Sequence, residues 1–338
     1  MSALIKFPKL LVVLGLWVVL GIHSDTAFAE IRVGLVLDKG GKDDKSFNSA
    51  AYQGAMRVKS ELKAFVKYVE ATDDNAFEPL LRSLAQKNFD IIIAIGVSQV
   101  DAVQKVASQF SGQRFAIIDG EVKSPNVKSL LFEEHEGSYL VGAIAAMKAN
   151  GKSVGFIGGM DIPLIRRFDL GYSSGAKAIN PSIKVVSNYV GVTADAWNNP
   201  AKAKELAVSQ YNSGVEVIFS AAGASGSGIF DAAEEKKKFA IGVDSNQNWV
   251  KPGFVLTSMV KRIDQAVYNV CQEVLQGKFV AGTVRHGLFN QGVDYTLDSY
   301  NEKIFSPQMR ERITKIKADV ISGKIKVPDY YKNRMGKN

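Results

Sequence analysis

The chain has 338 residues, 46% of them hydrophobic, and a formal net charge of +8. Its length and apolar fraction are typical of a globular protein with two domains of ordinary size. The single cysteine, Cys271, excludes an intramolecular disulfide, so burial of apolar side chains must supply the stability. The surplus lysines are scattered without interleaved aromatic residues, which argues against a partner made of nucleic acid.

The N-terminus has the pattern of a secretory signal peptide. Lys6 and Lys9 precede an apolar stretch over residues 10–20, and the small residues at 27–29 form a cleavage site. The apolar core is too short for a membrane anchor, which needs about twenty apolar residues. We therefore predict a signal peptide at residues 1–29 and a protein exported from the cytoplasm.

The first predicted strand of the mature chain runs from Ile31 to Leu37 and ends at Asp38. Gly40 and Gly41 permit a turn there, and Ser46 is a good N-cap for a following helix. In an open α/β sheet, ligands bind in the crevice outside the carboxyl ends of the strands. The sequence therefore predicts that Asp38 borders a ligand site.

Two residues at the start of that helix have side chains suited to a planar heterocycle. Phe47 offers an aromatic face for stacking, and the carboxamide of Asn48 offers a two-point hydrogen-bonding edge. We interpret the neighbouring Asp43, Asp44 and Lys45 as solvated turn residues.

Strand-like and helix-like segments alternate along the rest of the chain. Further strands are predicted at 65–69, 91–95, 114–118, 153–157, 184–189, 217–219, 239–243 and 255–258. Helices are predicted at 77–86, 99–109, 137–149, 165–180, 200–213 and 263–276. This rhythm indicates βαβ units and parallel sheets. Because buried strands end in similar small-residue turns near Gly96 and Gly223, we expect two similar lobes with a cleft between them.

Carboxylates follow three of the predicted strands, at Asp38, Asp119 and Asp244. Ionised carboxylates accept strong hydrogen bonds, so their convergence predicts a ligand with hydroxyl or amino groups. Lys261 follows another strand. It either bridges Asp244 and a ligand hydroxyl or pairs with Asp264 on the surface, and the sequence leaves both open.

Other patterns argue against cofactors and metals. The glycines from Gly223 to Gly228 follow the order G-x-x-G-x-G, which differs from a dinucleotide-binding loop and is explained by close backbone approach to a neutral ligand. His135 and His286 are the mature histidines, and neither has the spacing of a metal motif. We expect no cofactor, no metal and no catalytic residue.

The string from Asp38 to Asn48 reads D-x-G-G-x-D-D-x-S-F-N and resembles the opening motif of the basic membrane protein family. These are purine-nucleoside-binding lipoproteins of bacterial ABC transporters. Similar blocks occur at residues 158–181, 195–207, 221–233 and 241–247, so the resemblance spans nearly the whole mature chain. Nucleoside hydrolases carry a related calcium motif, D-x-D-x-x-x-D-D. Gly40 stands where that motif needs its second Asp, which removes an oxygen ligand from a calcium site.

The resemblance implies an α/β protein of the type I periplasmic binding protein fold. Two doubly wound parallel-sheet lobes would be joined by a three-crossover hinge, with the ligand between them. We expect lobe one at residues 30–130 plus 262–282 and lobe two at 131–261 plus 283–338.

The resemblance also implies residue roles. Phe47 and Trp197 would sandwich the base, and Asn48 and Asp119 would bind polar atoms of the ligand. Gly223 would permit close approach of the ligand to the backbone. The remaining pair, Asp244 and Lys261, would hold the ribose hydroxyls.

The expected function is capture of a purine nucleoside and its delivery to an ABC permease in the inner membrane. The alternatives are a nucleoside hydrolase-like enzyme or a receptor for another small solute, such as a sugar or a signalling molecule. Glu30 stands where much of the family has a lipidated cysteine. We therefore expect a monomeric periplasmic protein without a lipid anchor.

Overall fold

The computed structural model describes residues 30–335. The predicted signal peptide at 1–29 lies outside the described residues. Within them, no helix is both long enough and apolar enough to cross a membrane.

Residues 30–335 contain twelve β-strands and ten α-helices, joined in places by short 3-10 turns. The strands are β1 Arg32–Leu37, β2 Phe65–Glu70, β3 Ile91–Ile95, β4 Phe115–Ile118, β5 Val127–Phe132, β6 Ser153–Met160, β7 Val185–Gly191, β8 Val215–Ala221, β9 Phe239–Asp244, β10 Val255–Lys261, β11 Gly282–His286 and β12 Val293–Tyr295. The helices are α1 Phe47–Glu61, α2 Phe77–Ala85, α3 Val100–Gln109, α4 Glu134–Ala149, α5 Pro163–Ile179, α6 Pro200–Asn212, α7 Gly226–Lys236, α8 Ile263–Leu275, α9 Pro307–Ile321 and α10 Tyr330–Met335.

The strands form two separate six-stranded sheets. Their orders are β11-β5-β4-β3-β1-β2 and β12-β10-β9-β8-β6-β7. Among the described strands, β10 and β12 form the one antiparallel pair. In both sheets the first five strands in chain order are arranged alike: the second lies on one side of the first, and the third to fifth lie on its other side. The order in which strands are added therefore reverses at β1 in one sheet and at β6 in the other. These reversals are where α/β sheets bind ligands.

Helices cover both faces of each sheet, which is why the central strands are apolar on both sides. All five residues of β3 are buried. On the first sheet, α1 and α8 pack on one face and α2 and α3 on the other. On the second sheet, α4 and α5 pack on one face and α6 and α7 on the other. The predicted pair of doubly wound sheets is confirmed.

The chain passes between the sheets after β5, after β10 and after β11. The first sheet therefore reaches Phe132 and includes β11, beyond the limits expected at residues 130 and 282. The strand predictions also omitted β5, β11 and β12. One reason is that β11, with the sequence GTVRH, is an exposed edge strand whose apolar pattern is weak.

Close packing of α4 against α5 fixes the geometry beside one crossover. Gly142 and Gly175 lie where the two helices cross, and a Cβ atom at Gly142 would stand 2.1 Å from the carbonyl oxygen of Tyr172. This packing brings Arg167 of α5 next to Glu134 at the start of α4. Glycine at the crossing thus positions a charged pair near the hinge.

Candidate ligand-binding site

A cavity lies between the carboxyl ends of the two sheets. It contains about 650 Å³ of empty space, part of it open to solvent. All eight residues predicted to bind the ligand line it: Asp38, Phe47, Asn48, Asp119, Trp197, Gly223, Asp244 and Lys261. The structure therefore brings the predicted set together, although their contact with a ligand stays a prediction.

The wall contributed by the first sheet is fixed by Asp44. Its carboxylate accepts the backbone N–H groups of Ser46, Asn48 and Ser49 at 2.8 to 2.9 Å, and it is only 7% exposed. The prediction of a solvated Asp44 was wrong, because this side chain satisfies the free N–H groups at the start of α1. Ser46 does occupy the N-cap position, but its hydroxyl points elsewhere.

Asn48 is already partly engaged. Its Oδ1 accepts the backbone N–H of Asp38 at 2.9 Å, and its Nδ2 donates to Asp44 at 3.0 Å. One hydrogen of the Asn48 amide remains for a ligand. The sequence had predicted that both the oxygen and the nitrogen of this carboxamide would bind the ligand. These bonds in turn fix Asp38, whose pKa burial raises to about 6.

Several contacts cross the cleft, among them the hydrogen bond from Ser46 Oγ to the carbonyl oxygen of Val243 at 3.3 Å and the ion pair of Lys39 with Asp195. Ser46 Oγ donates to Asp244 Oδ2 at 2.7 Å, and Ser245 Oγ donates to the carbonyl oxygen of Ser46 at 2.8 Å. Gln247 Nε2 donates to the carbonyl oxygen of Lys45 at 2.9 Å. The hydrogen bonds of Ser46, Ser245 and Gln247 join the segment between β1 and α1 to the end of β9 and the loop after it, so the two lobes are in the closed arrangement.

Aromatic side chains form one part of the cavity wall. Phe47 begins α1, and Trp197 lies in the short 3-10 turn before α6. The indole packs directly on β6, since a Cβ atom at Gly159 would stand 2.3 Å from Trp197 Cζ3. Gly223 has a φ of +57° and lies beside Trp197. Phe168 of α5 also lines the cavity, although it was not among the residues predicted to bind the ligand.

The polar part of the cavity is centred on Lys261. Its Nζ donates to Asp119 Oδ2 at 2.5 Å and forms an ion pair with Glu134 Oε1 at 3.2 Å. The surface alternative from the sequence was wrong, because Lys261 is only 2% exposed and Asp264 pairs with Arg262 instead. The alternative in which Lys261 bridges Asp244 and a ligand hydroxyl stays a prediction. Glu134 had not been selected, because nothing in its local sequence marks which of several nearby glutamates is buried.

Burial shifts the pKa of the carboxyl groups here. It raises the pKa of Asp119 to about 7, although the nearby Lys261 charge lowers it in part. Burial also raises the pKa of Asp244 to about 6, again opposed by Lys261. Burial alone would lower the pKa of Lys261, but the surrounding carboxylates raise it above its usual value, so this ammonium stays charged.

Asp119 retains an unused acceptor. Its Oδ1 is buried and accepts no hydrogen bond from any residue that the structure describes. Buried polar atoms of this kind are costly unless a partner satisfies them, so Asp119 is suited to receive a donor from a ligand.

Comparison with known proteins identifies the family. Residues 31–330 match the family model described as Bmp, ABC transporter substrate-binding protein PnrA-like. The chain belongs to the Bmp family. Its members are substrate-binding proteins of ABC transporters, which act outside the cytoplasm and are not enzymes. The predicted family is therefore confirmed.

Curated relatives cover most of the chain. The nucleoside-binding protein BmpA of Lactococcus lactis is 34% identical over 322 residues, 88% of this chain and 89% of that protein. Basic membrane protein D of Borreliella burgdorferi is 31% identical over 323 residues, 93% of this chain and 92% of that protein. An uncharacterized lipoprotein of Pyrococcus abyssi is 33% identical over 292 residues, 81% of this chain and 71% of that protein.

Solved structures confirm the type I periplasmic binding protein fold. A solute-binding protein of an Aeropyrum pernix ABC transporter matches with a TM-score of 0.81 and 29% identity, covering 88% of this chain and 94% of that one. A solute-binding protein of a carbohydrate transporter from Agrobacterium radiobacter matches with a TM-score of 0.62 and 17% identity, covering 84% of this chain and 99% of that one. The second match shows the fold alone.

One further group of side chains has the composition of a metal site. Ligand atoms of Glu133, His135 and Asp329 lie within 4.8 Å of one another. Arg167, however, donates to both carboxylates, so each already has a cationic partner. The arrangement therefore favours a buried ion pair over a metal in this Bmp family member.

Proposed function

We propose that this protein binds a purine nucleoside in its closed cleft and delivers it to an ABC permease in the inner membrane. The observation that carries the proposal is the composition of the cavity, which combines two aromatic faces with a charged polar group of Asp119, Asp244 and Lys261. A nucleoside has matching parts: a flat base with a polar edge and a sugar with hydroxyl groups. The name of the Lactococcus relative supports this choice.

The base would lie between Phe47 and Trp197. Offset stacking on an aromatic ring contributes about 0.5 to 1.5 kcal/mol beyond the area buried. The remaining amide hydrogen of Asn48 and the unused oxygen of Asp119 would bind the edge of the base. Because the pKa of Asp119 is near neutrality, its carboxyl group can accept or donate a hydrogen bond at physiological pH.

The sugar would lie against Asp244 and Lys261, with Asp38 and Gly223 completing the wall. Asp244 Oδ2 already accepts from Ser46 across the cleft, so the carboxylate that would hold the ribose also holds the lobes together. A ligand that binds Asp244 in the position where this carboxylate also accepts from Ser46 therefore favours the closed state, and the closed state buries the ligand.

Calorimetric titration with guanosine, 2′-deoxyguanosine, guanine, arabinose and glucose tests this proposal. We expect the tightest binding for guanosine, weaker binding for the deoxynucleoside and the free base, and none for the two sugars. Tight binding of a sugar in preference to every nucleoside would replace the proposal with that of a sugar receptor.

A hydrolase is tested separately. Incubation with inosine followed by chromatography is expected to return intact inosine, since Gly40 removes a calcium ligand from the hydrolase motif. Release of hypoxanthine that increases with protein concentration would establish an enzyme.

We also propose that the protein is a periplasmic monomer, released by cleavage before Glu30 without a lipid anchor. Three Pyrococcus relatives are named lipoproteins, so this chain would differ from them in its attachment. The intact mass of the mature protein tests cleavage and acylation together, and sedimentation tests the oligomeric state. A mass increased by a diacylglycerol group would contradict the proposal.

A further inference from the structure

A second buried cation, Arg167, lies behind the ligand cavity. This α5 residue is 2% exposed, and its Nε and Nη2 donate to the two oxygens of Asp329 at 2.8 and 3.0 Å. Its Nη1 donates to Glu134 Oε2 at 2.7 Å, and the guanidinium also bonds to Glu133 and to the carbonyl oxygen of Phe132. These residues line a second cavity, of about 1100 Å³, next to the first.

Glu134 connects Arg167 to the ligand cavity. One of its oxygens accepts a hydrogen bond from Arg167, and the other forms an ion pair with the Lys261 ammonium at 3.2 Å. Lys261 in turn donates to Asp119 at 2.5 Å. Charges therefore alternate in sign from Asp329 through Arg167, Glu134 and Lys261 to Asp119, and the last two line the ligand cavity.

This chain of ion pairs lies where the connections between the sheets meet. Glu134 begins α4 directly after β5, and Lys261 is the last residue of β10. The backbone N–H of Glu133 donates to the carbonyl oxygen of His286, the last residue of β11, at 2.8 Å. At the hinge, the side chain of Glu134 thus lies between Arg167 and Lys261 and pairs with both.

Two cations keep Glu134 ionised. Burial raises its pKa, but Lys261 and Arg167 together lower it below its usual value. Other titratable groups that act on this cluster are Asp119, Asp244, His135, Tyr331, Glu133, Asp329 and Lys332. Without Arg167, Glu134 would have to draw the Lys261 ammonium away from Asp119 or take up a proton, since a buried carboxylate needs a partner.

We propose that Arg167 is a positioning residue for ligand binding: by pairing with Glu134 it holds the Lys261 ammonium against Asp119 at the cavity wall. This inference rests on the proposed function only for the choice of guanosine as the ligand. Arg167 itself would contact no part of the ligand.

The test is a double-mutant cycle read by calorimetric titration with guanosine. Arg167→Gln is expected to weaken binding about tenfold, within the range of coupling between residues of one network. Arg167→Lys is expected to recover most of the affinity, because a lysine restores a cation beside Glu134. In the Glu134→Gln background, Arg167→Gln is expected to cause no further loss. Arg262→Gln is the matched control, because Arg262 pairs with Asp264, and it is expected to bind as the wild type does.

Two results would overturn the inference. Losses that add in the double variant, or equal losses for the Gln and Lys variants at Arg167, would mean that Arg167 only supports the fold. If Arg167→Gln does not fold, the cycle is run with Arg167→Gln/Asp329→Asn, which removes one charge of each sign and keeps the buried charge balanced.

A readout without ligand separates this inference from the proposed function. The ¹⁵Nζ resonance of Lys261, assigned by its loss in Lys261→Arg, is expected to shift in Arg167→Gln and to stay near the wild-type position in Arg167→Lys and Arg262→Gln. An unchanged resonance in Arg167→Gln rejects the inference. Failure of the wild type to bind guanosine rejects the proposed nucleoside function and leaves this spectroscopic test decisive for Arg167.

Discussion

Asp119 and Asp244 occupy equivalent positions in the two lobes but have different partners. Asp119 directly follows β4 and Asp244 is the last residue of β9, each the fourth strand of its sheet in chain order, and each has a left-handed backbone, with φ of +67° and +64°. Aspartate tolerates this conformation better than most residues. Asp119 pairs with Lys261 and keeps one oxygen free, whereas Asp244 accepts from Ser46 across the cleft.

The comparison shows how a repeated backbone feature can serve two purposes. Asp119 belongs to the ion-pair cluster at the hinge and lines the cavity, and among the described residues none of its hydrogen-bonding or charged partners lies in the loop after β1. Asp244 gains its Ser46 contact only when the lobes are closed. We therefore expect Asp119 to set affinity through Lys261 and Asp244 to couple sugar recognition to closure.

The largest effect is expected from removing the cation between the two carboxylates. Lys261→Met leaves Asp119 and Glu134 buried with one partner fewer, which should lower the free energy of unfolding by about 3 to 5 kcal/mol and abolish nucleoside binding. Urea denaturation measures the first effect and titration the second. Lys128→Met is the control: Lys128 is also buried, but its partner Glu273 can reach solvent. Equal destabilisation of the two variants would contradict the central role of Lys261.

Asp244→Ala should act on the sugar. Loss of this buried acceptor is expected to cost guanosine about 1 to 3 kcal/mol more than it costs 2′-deoxyguanosine and guanine, for which the main effect is loss of the bond from Ser46 across the cleft. Ser46→Ala keeps the carboxylate but removes the bond across the cleft, so it should weaken the three ligands by similar factors. Equal losses for Asp244→Ala across all three ligands would mean that Asp244 supports closure and does not recognise ribose.

Trp197→Ala should not discriminate among ligands. Stacking needs only a π face, so guanosine, deoxyguanosine and guanine should each lose about 0.5 to 1.5 kcal/mol of binding free energy, plus the effect of lost buried area. Trp249→Ala, which removes an exposed tryptophan, is the control and should leave binding unchanged. A loss confined to ribonucleosides would assign Trp197 to the sugar.

The smallest effect is a difference in pH dependence between the two aspartates. A carboxyl group whose pKa is raised by folding binds its proton more tightly in the folded protein, so its contribution to stability is greatest at low pH. That contribution is lost as the pH rises to about 7 for Asp119 and to about 6 for Asp244. Between pH 6 and 7, the unfolding free energy of the wild type should therefore fall relative to Asp119→Asn, by roughly 1 kcal/mol. Over the same pH range, the unfolding free energy of the wild type relative to Asp244→Asn should stay nearly constant. Identical profiles for the two variants would contradict the distinction.

The sequence by itself located the cavity, because apolar runs that end at Asp38, Asp119 and Asp244 mark the carboxyl ends of buried strands. It also predicted two parallel sheets, since helix and strand periodicities alternate clearly, although it missed β5, β11 and β12. Phe47 was selected from its place at the start of the first predicted helix, and Trp197 was found through the family resemblance of its motif. These signals are local, so they can be read without knowledge of the packing.

Side-chain partners were decided only by the tertiary structure. Lys261 pairs with Asp119, 142 residues away, and the neighbouring Asp264 pairs with Arg262. Asp44 looked like a solvated turn residue until the fold buried it. Arg167 gave no signal, because its link to Glu134 depends on the close crossing of two helices. Periodicity fixes which face of an element is buried, but ion pairs depend on distances between elements that only packing sets.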